Sequence, residues 1–335
     1  MPGLNDSTMT LLGRPMLVSL LLGLVTAVIV AAASPAASGP RPHREPSAPV
    51  MKRDLTLSFD AKPPYSEWWT IQPGYPCVNG SVDSSAPIKP ASAAFVRDSS
   101  PGDVRHGKYS ARVVLNPGDH ASYSCKAEAV GAIEQVGEGE GRQSWWAWSW
   151  KLPIGWRGTT SWGTLFEIRP NHVLWPSYGM LHFDAGSRNS LRLGLHTGLT
   201  PNPGSRLYDS AYQRSVTLLG PGARRPMVYG RWLDFYMHVV WRSRRSGVLQ
   251  IWYRVQGQPK FTKLYSDVPG DRALVHVRPH PTLLYNTAHG VPREKPGLNL
   301  EGGFYRANAD WTNTYWWDGM RRRRSRSAIL RSFGP

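Results

Sequence analysis

Cysteine, which builds disulfide scaffolds and thiolate metal sites, is rare in this sequence. The 335 residues include only two cysteines, too few for a four-thiolate zinc site or a network of disulfide bonds. Acidic residues are also scarce, because 23 Asp and Glu stand against 40 Lys and Arg. From Asp54 onward, no long segment shows the hydrophobic period of about 3.6 residues that marks an amphipathic helix. The fold must therefore rest on a hydrophobic core, and a helical bundle is excluded.

The common short catalytic motifs are absent as well. The sequence contains no HExxH zinc motif, no CxxC pair, no GxSxG nucleophile elbow and no GxxxxGKS/T phosphate loop. The paired carboxylates of the Glu-x-Asp-x-x-Glu strand in β-sandwich glucanases are missing too. The acidic residues Glu134, Glu138 and Glu140 lie among glycines and are interpreted as a loop. A glycoside hydrolase is therefore disfavoured and is kept as the third functional hypothesis.

Tryptophan, proline and glycine are abundant, with 15, 29 and 33 residues, and apolar residues make up 41% of the chain. Strands are predicted where apolar and polar residues alternate, over 109–115, 144–152, 164–169, 191–196, 232–241 and 248–255. The last two form a hairpin across a polar turn. Trp146, Trp148 and Trp150 share one strand face and are expected in the core. This pattern predicts an all-β fold, a concanavalin A-like β-jelly roll of two antiparallel sheets.

The N-terminal segment has the pattern of a secretion signal. Arg14 precedes an apolar run over 16–30, and small residues at 31–33 offer a cleavage site. An uncleaved membrane anchor is the alternative. The predicted organisation is a signal peptide over 1–33, a Pro-, Ala- and Ser-rich linker over 34–51, a jelly-roll domain over 52–320 and an Arg-rich tail over 321–335. The mature protein is expected to be secreted, with no stable insertion in a membrane.

Secretion bears on the two cysteines. In an oxidising compartment Cys77 and Cys125 are expected to pair with each other, and two buried free thiols are the alternative. A closed loop of that length would stabilise the fold by about 4 kcal/mol on the chain-entropy model. Because Lys126 directly follows Cys125, the bond would also fix the strand that carries Lys126.

The formal net charge is +17 at pH 7. The arginines of the tail account for only part of this charge, because the basic excess is spread over the domain. The tail itself is expected either to dock on a surface or to be merely solvated. For a secreted basic protein we expect an acidic polysaccharide, a wall or a membrane surface as partner, and no nucleic acid. We expect a monomer. The Gly- and Pro-rich segments 199–226 and 279–296 are predicted rim loops, where binding residues tend to lie.

Four segments together resemble the concanavalin A-like jelly-roll polysaccharide lyases, the group of heparin lyase I, glucuronan lyase and some alginate lyases. They are 107–119 (GKYSARVVLNPGD), 138–156 (EGEGRQSWWAWSWKLPIGW), 230–257 (GRWLDFYMHVVWRSRRSGVLQIWYRVQG) and 298–320 (LNLEGGFYRANADWTNTYWWDGM). The resemblance implies cleavage of uronic-acid polymers by β-elimination. Such a site needs a partner for the sugar carboxylate, together with a base and an acid for the proton.

The resemblance implies a catalytic tyrosine. Family members carry Lys-x-Gly-x-Tyr on a late strand of the groove, and the matching residues here are 301–305, which end in Tyr305. Glu301 stands where the family has Lys, so it is expected to be protonated or paired with Arg306 or Arg169 near a polyanion. An ordinary strand residue is the alternative for Tyr305.

The resemblance leaves the carboxylate partner open. Where alginate lyases of this group have Gln-Ile-His, this chain has Glu167-Ile168-Arg169, followed by His172. Either Arg169 binds the carboxylate, as a guanidinium can do in bidentate fashion, or His172 enters from the adjoining loop as a group that titrates near neutral pH. His182 and His196 are rivals.

Substrate-binding roles follow from the same resemblance. Lys126 and Glu128 match the first two charged positions of the family's Arg-x-Glu-Leu-Arg strand, and Val130 replaces its last arginine. With Glu167, Glu301 and Arg306 they complete the predicted binding residues. No redox cofactor is implied, and although this fold class can hold a structural Ca²⁺, the sequence shows no ligand cluster for one.

Two further features of the sequence concern sugar binding. Trp162, Trp175 and Trp311 lie in turn-rich segments and are candidates for stacking on sugar rings. The departures at Glu301, at the Gln-Ile-His position and at Val130 favour the second hypothesis, a non-catalytic lectin of the same fold.

Overall fold

The computed structural model describes much of the region that the sequence predicts to fold. The described residues are 54–56, 59–60, 69–72, 77–78, 81–82, 95–117, 127–131, 141–158, 163–170, 181–185, 189–200, 212–242, 244–282, 284–286, 298–306 and 310–334. The predicted signal peptide and linker, Cys125, Lys126 and His172 lie outside them, so the predictions that rest on these residues stay predictions. Within the described part, no helix is long and apolar enough to cross a membrane.

The described chain is built almost entirely of strands. In chain order they are β1 Leu55–Thr56, β2 Trp69–Gln72, β3 Cys77–Val78, β4 Ser81–Val82, β5 Phe95–Asp98, β6 Ser110–Leu115, β7 Ala127–Gly131, β8 Gln143–Lys151, β9 Gly163–Pro170, β10 Leu181–Asp184, β11 Leu191–Thr200, β12 Tyr212–Leu219, β13 Trp232–Val240, β14 Val248–Val255, β15 Thr262–Ser266, β16 Val275–His276, β17 Leu284–Asn286, β18 Leu298–Arg306 and β19 Asn313–Arg323. One helix, α1, spans Arg326–Arg331.

These strands form two large sheets and a small β3–β4 pair. The nine-stranded sheet has the order β16-β15-β14-β13-β8-β19-β6-β5, with β1 beside β19, and the eight-stranded sheet has the order β12-β11-β10-β9-β18-β7-β2, with β17 beside β11. Among the described strands, only the β15–β16 and β11–β17 pairs are parallel. The predicted hairpin is confirmed as β13 and β14, in which Leu233 lies opposite Val255. The fold is the predicted β-jelly roll.

Aromatic side chains fill the space between the two large sheets. Trp148 stacks on Phe235 of its own sheet and meets Phe166 and Phe183 of the other sheet at ring-centroid distances of 5.4 and 5.1 Å. Trp146, Trp148 and Trp150 are at most 2% exposed, which confirms their predicted core position. Side chains of this size supply a large share of the apolar area that folding buries.

A β-bulge interrupts the alternation of β9. Phe183 lies opposite Phe166, whereas the next residue, Asp184, lies opposite Thr164, so Leu165 is an additional residue on its strand. Leu165 and Phe166 are therefore both buried in the core, at 1% exposure each. Simple alternation along this strand would put Leu165 on the same side as Glu167, and the bulge changes this because it resets the side-chain pattern.

The C-terminal arginine cluster belongs to the fold. β19 continues to Arg323, beyond the domain end predicted at residue 320, and Arg321 and Arg322 are only 5% and 1% exposed. The Arg322 guanidinium lies 5.6 Å from the centroid of the Trp146 ring. Aromatic rings and the long aliphatic stems of arginine make such burial favourable, so the structure moves the predicted start of the tail at residue 321 past the end of this strand.

The helix that follows packs on the same sheet. Ser325 caps it, since its hydroxyl accepts the backbone N–H of Ala328. Ile329 and Phe333 join Tyr236 in a second buried cluster, on the face of the nine-stranded sheet that points away from the core. The last residues of the domain therefore close one outer face of the jelly roll.

Candidate active site

Polar residues run straight across the outer face of the eight-stranded sheet. Glu301 of β18 lies opposite Glu167 of β9, Glu167 opposite His182 of β10, and His182 opposite Gly194 of β11. We call these four positions the glutamate–histidine row. Residues directly opposite each other in a sheet share a face, with Cβ atoms about 5 Å apart. The row therefore brings sequence-distant polar residues together on one surface.

A second row lies beside the first. Tyr305 of β18 lies opposite Thr164, Thr164 opposite Asp184, and Asp184 opposite Arg192 of β11. We call these positions the tyrosine row. Two irregularities produce this alignment: the bulge at Leu165 relative to β10, and a register shift on β18 between Gly302 and Tyr305.

The His182 ring lies across the neighbouring strand. A methyl group on Gly194 would lie 2.0 Å from the Cε1 and Nε2 atoms of His182, so only glycine leaves room for the imidazole there. The ring stacks on His196, with centroids 5.7 Å apart and planes at 19°. Burial lowers the pKa of His196, so this histidine is neutral near neutral pH. The two imidazoles form one flat aromatic surface in the site.

Charged groups flank the imidazoles. Glu167 is 3% exposed, between the register positions of His182 and Glu301. The Asp184 carboxylate accepts the backbone N–H of Gly163 at 3.0 Å. The buried Nε atom of Arg192 has no hydrogen-bond partner in the described part of the chain. An N–H group left in this state on a polar sheet face is suited to an incoming anion.

Two glycines shape β18 beside the tyrosine. A Cβ on Gly302 would lie 2.2 Å from the Trp317 ring, so the two sheets approach closely there. Gly303 has a φ of 147°, which favours glycine, and its carbonyl oxygen accepts the Tyr315 hydroxyl at 2.6 Å. The strand that carries Tyr305 is thus anchored from the core side.

The remaining predicted site residues take definite register positions. Glu128 of β7 lies opposite Gly303, while Arg169 and Arg306 lie opposite Asn299 and Gly163. The sequence-predicted strand residues are therefore on neighbouring strands β7, β9 and β18. Their catalytic and binding roles stay predictions.

Sequence reasoning gave too little weight to β10 and β11. His182 entered only as a rival, although the Leu-His-Phe-Asp alternation of β10 exposes it on the polar face. Gly194 was not singled out, and its importance depends on where the His182 ring falls. Among the described residues, no group of three or more His, Cys, Asp or Glu could hold a metal ion.

Comparison of the sequence with known families decides the class of the protein. A sequence model described as polysaccharide lyase matches residues 66–321, more than half of the chain. The chain belongs to the polysaccharide lyase family. The prediction of a lyase is confirmed by this match. The lyase has no match among curated proteins.

Three solved structures are similar to this lyase. The endo-β-1,4-glucuronan lyase from the fungus Trichoderma reesei has 12% identity and a TM-score of 0.45, covering 76% of this chain and 95% of its own. The PL-14 alginate lyase from Aplysia kurodai has 10% identity and a TM-score of 0.44, covering 78% and 100%. The catalytic domain of a family 131 glycoside hydrolase from Coprinopsis cinerea has 12% identity and a TM-score of 0.40, covering 71% and 80%.

Proposed function

We propose that this lyase is secreted and cleaves a uronic-acid polysaccharide by β-elimination. An elimination breaks a C–O bond without water, so it needs a removable proton on the carbon next to the one that holds the leaving oxygen. In a polysaccharide that proton is acidic enough only beside a carboxylate, as at C5 of a uronate, and neutralising the carboxylate acidifies it further. Lyase chemistry thus favours an acidic substrate. Secretion rests on the predicted signal peptide at 1–33.

The charge of the protein supports a polyanionic substrate. The net charge of +17 attracts polyanions at long range, and within the site Arg192 has a buried Nε with no partner among the described residues. A planar guanidinium binds a carboxylate through two parallel hydrogen bonds. Arg192, or else Arg169 or His172 as predicted from the sequence, would neutralise the uronate, with Lys126 supporting.

Tyr305 is the proposed base and acid. Phe304 is buried in the core, and since successive strand residues alternate, Tyr305 is expected on the polar face. The phenolate would remove the C5 proton; the C4–O bond would break as the C4–C5 double bond forms, and the phenol would return its proton to the leaving oxygen. The step balances without a cofactor.

The two polar rows carry this proposal. The backbone positions of His182 and Tyr305 are two strands apart in the sheet, about 10 Å across it, and this spacing is compatible with a sugar ring between the two side chains. We propose His182 as a second candidate for proton transfer in the site. No comparable juxtaposition follows from the sequence alone, because it depends on the strand order.

The departure at Glu301 fits the same picture. Glu301 and Glu167 lie opposite each other in the register, and two ionised carboxylates at that distance repel. The buried position of Glu167 adds a desolvation cost to its charge. As expected from the sequence, Glu301 would be protonated or paired with Arg306 or Arg169, and either state would remove its repulsion toward a polyanion.

The first prediction tests this function directly. Purified protein is incubated with glucuronan, alginate, heparin and hyaluronan, and the ultraviolet absorbance of the unsaturated uronate product is followed. The Tyr305→Phe variant should abolish the absorbance rise with its unfolding curve unchanged, because only the proton-carrying oxygen is lost. Tyr109→Phe, on the other sheet beneath the Arg97 guanidinium, is the matched control and should retain full activity.

Each outcome has a definite meaning for the proposal. Binding without any absorbance rise on all four polymers would contradict cleavage of these substrates. Release of reducing ends without absorbance would indicate hydrolysis. Full activity in Tyr305→Phe would remove this residue from the mechanism.

A further inference from the structure

An arginine and a tryptophan pair at one end of the sheets. Arg157, in the loop after β8, places its guanidinium 4.4 Å from the centroid of the Trp311 ring, in the connection from β18 to β19. Arg157 is exposed and Trp311 is partly exposed. We call these two residues the arginine–tryptophan pair. The mechanism above does not use it.

The backbone under Arg157 is held in place. Its carbonyl oxygen accepts hydrogen bonds from Trp311 Nε1 at 3.2 Å and from Asn313 Nδ2 at 2.8 Å. The next backbone N–H, at Gly158, donates to the Asn189 side chain. The loop is therefore fixed from three directions, and the guanidinium is the part of Arg157 that faces solvent.

The guanidinium carbon lies over the Trp311 ring, and because Arg157 is exposed, a ligand can reach its N–H groups. The N–H groups of arginine lie in the plane of the guanidinium, so contact with a ring through its flat face does not consume them. The stacked ring limits the rotamers of a long side chain, which lowers the entropy lost when a ligand binds. Such a group is suited to bidentate binding of a carboxylate.

The pair lies at the same end of the sheets as the tyrosine row. Trp156, next to Arg157, contacts Phe304 with ring centroids 5.4 Å apart, and Phe304 precedes Tyr305. Arg306, the last residue of β18, lies opposite Gly163, the first residue of β9. The arginine–tryptophan pair is thus next to the strand end that holds the proposed catalytic tyrosine.

We propose that the arginine–tryptophan pair is a substrate subsite, in which Arg157 binds the carboxylate of a uronate unit adjacent to the one that reacts. Trp311 acts as the positioning residue that orients the guanidinium. This inference rests on the proposed function, because it requires a substrate with a carboxylate on neighbouring units. The subsite strengthens binding of longer chains and leaves the chemical step unchanged.

The experiment compares kcat and KM for a long uronate polymer and for the shortest oligomer that is cleaved. Arg157→Ala should raise KM for the polymer about tenfold, equivalent to about 1.4 kcal/mol, with kcat within about twofold. The KM for the shortest oligomer should change much less. Trp311→Ala should show the same pattern more weakly, and Trp311→Phe, which keeps a ring under the guanidinium, should restore most of the polymer KM.

Arg245→Ala is the matched control. Arg245 is an exposed arginine in the turn after β13, which ends where Val240 pairs with Gln143, whereas Arg157 follows the end of β8 where Lys151 pairs with Trp232. The two arginines are therefore at opposite ends of these strands, and their substitutions change the net charge equally. Arg245→Ala should shift the polymer KM less than about twofold at physiological salt.

The outcomes separate the two proposals. An equal rise of KM in Arg157→Ala and Arg245→Ala would reduce the effect to net charge and overturn the subsite. Loss of kcat with unchanged KM would also overturn it. Absence of unsaturated product from the unsubstituted protein would instead contradict the proposed function. In that case, polymer binding to Arg157→Ala and Arg245→Ala, followed by tryptophan fluorescence, still tests the subsite.

Discussion

A charged residue on the outer face of each large sheet can be compared by its hydrogen-bond partners. On the nine-stranded sheet, Asp234 is fully buried and receives hydrogen bonds from Arg105 at 2.8 and 2.7 Å, from Arg254 at 2.8 Å and from Ser149 at 2.8 Å. On the eight-stranded sheet, the Nε of Arg192 has no partner among the described residues.

The comparison is between a carboxylate that is satisfied within the fold and a guanidinium N–H that, on the proposed function, would meet the substrate. A buried carboxylate with several donors is stabilised in place, and Phe333, after helix α1, packs against Arg254, which donates to this carboxylate. A half-buried guanidinium whose N–H is unused costs stability until an anion arrives. Substitutions on the outer face of the eight-stranded sheet should therefore change activity more than stability. We call this face the open face, and we call the outer face around Asp234 the closed face.

The largest expected effect tests the closed face. Asp234→Ala leaves Arg105 and Arg254 as uncompensated charges, and it should lower the free energy of unfolding by about 3–5 kcal/mol. Urea denaturation followed by tryptophan fluorescence measures the loss. Asp103→Ala, which removes the partly exposed Lys151–Asp103 pair, is the control and should cost no more than about 1 kcal/mol. Equal losses in the two variants would contradict the contrast.

The next effect tests the open face through a single methyl group. Gly194→Ala puts a Cβ where the His182 imidazole lies and pushes the flexible ring out of the site. Because a misplacement of about 1 Å in a catalytic group can cost about a hundredfold, kcat should fall by about that factor. The free energy of unfolding should change by less than about 1 kcal/mol, since the ring can swing toward solvent. Steady-state kinetics and urea denaturation on the same preparation check both parts; unchanged kcat would remove His182 from the site.

The third effect concerns the buried carboxyl group of Asp267 and depends on pH. Burial raises the pKa of Asp267 to about 7, and its carboxyl lies 3.5 Å from His280, whose pKa burial lowers to about 4. As the pH rises from about 4 to 7, the unfolded chain releases the Asp267 proton and the folded chain keeps it, so this residue's contribution to stability is lost over that window. The contribution of His280 has the opposite sign, being lost as the pH falls from 6.5 toward 4.

Asp267→Asn isolates the first of these contributions. The variant should gain stability relative to the unsubstituted protein as the pH rises through the window, because the amide does not titrate. Thermal unfolding at a series of pH values measures the difference. Asp310→Asn, at an exposed position, controls for the amide, and a pH-independent difference for Asp267→Asn would refute the assignment.

Much of the fold was accessible from the sequence because its signals are local. The alternation in β13 and β14 predicts a hairpin without knowledge of any distant residue. In the same way, the alternating tryptophans of β8 predict a strand with one buried face. The bulge at Leu165 was not predictable, because it depends on the register with β10, and the shift on β18 depends in the same way on the register with β9. The burial of Arg322 was missed for a similar reason, since it depends on the Trp146 ring.

The candidate site was less accessible than the fold. Tyr305 and Glu167 could be placed by their resemblance to a family motif, and their strands do lie side by side. His182 and Arg192 have no such motif, and they join the site only because β10 and β11 follow β9 in the sheet. Catalytic surfaces on a jelly roll are made by strand order, which local patterns do not encode.

The position of β19 has a consequence for how the protein is made. This strand comes last among the described strands, yet it lies between β6 and β8 in the middle of its sheet. Until it emerges from the ribosome or a translocation pore, β6 and β8 present unsatisfied edges that attract other chains. The nine-stranded sheet therefore closes only after residues 313–323 have been synthesised, and nascent chains have to be kept apart until then.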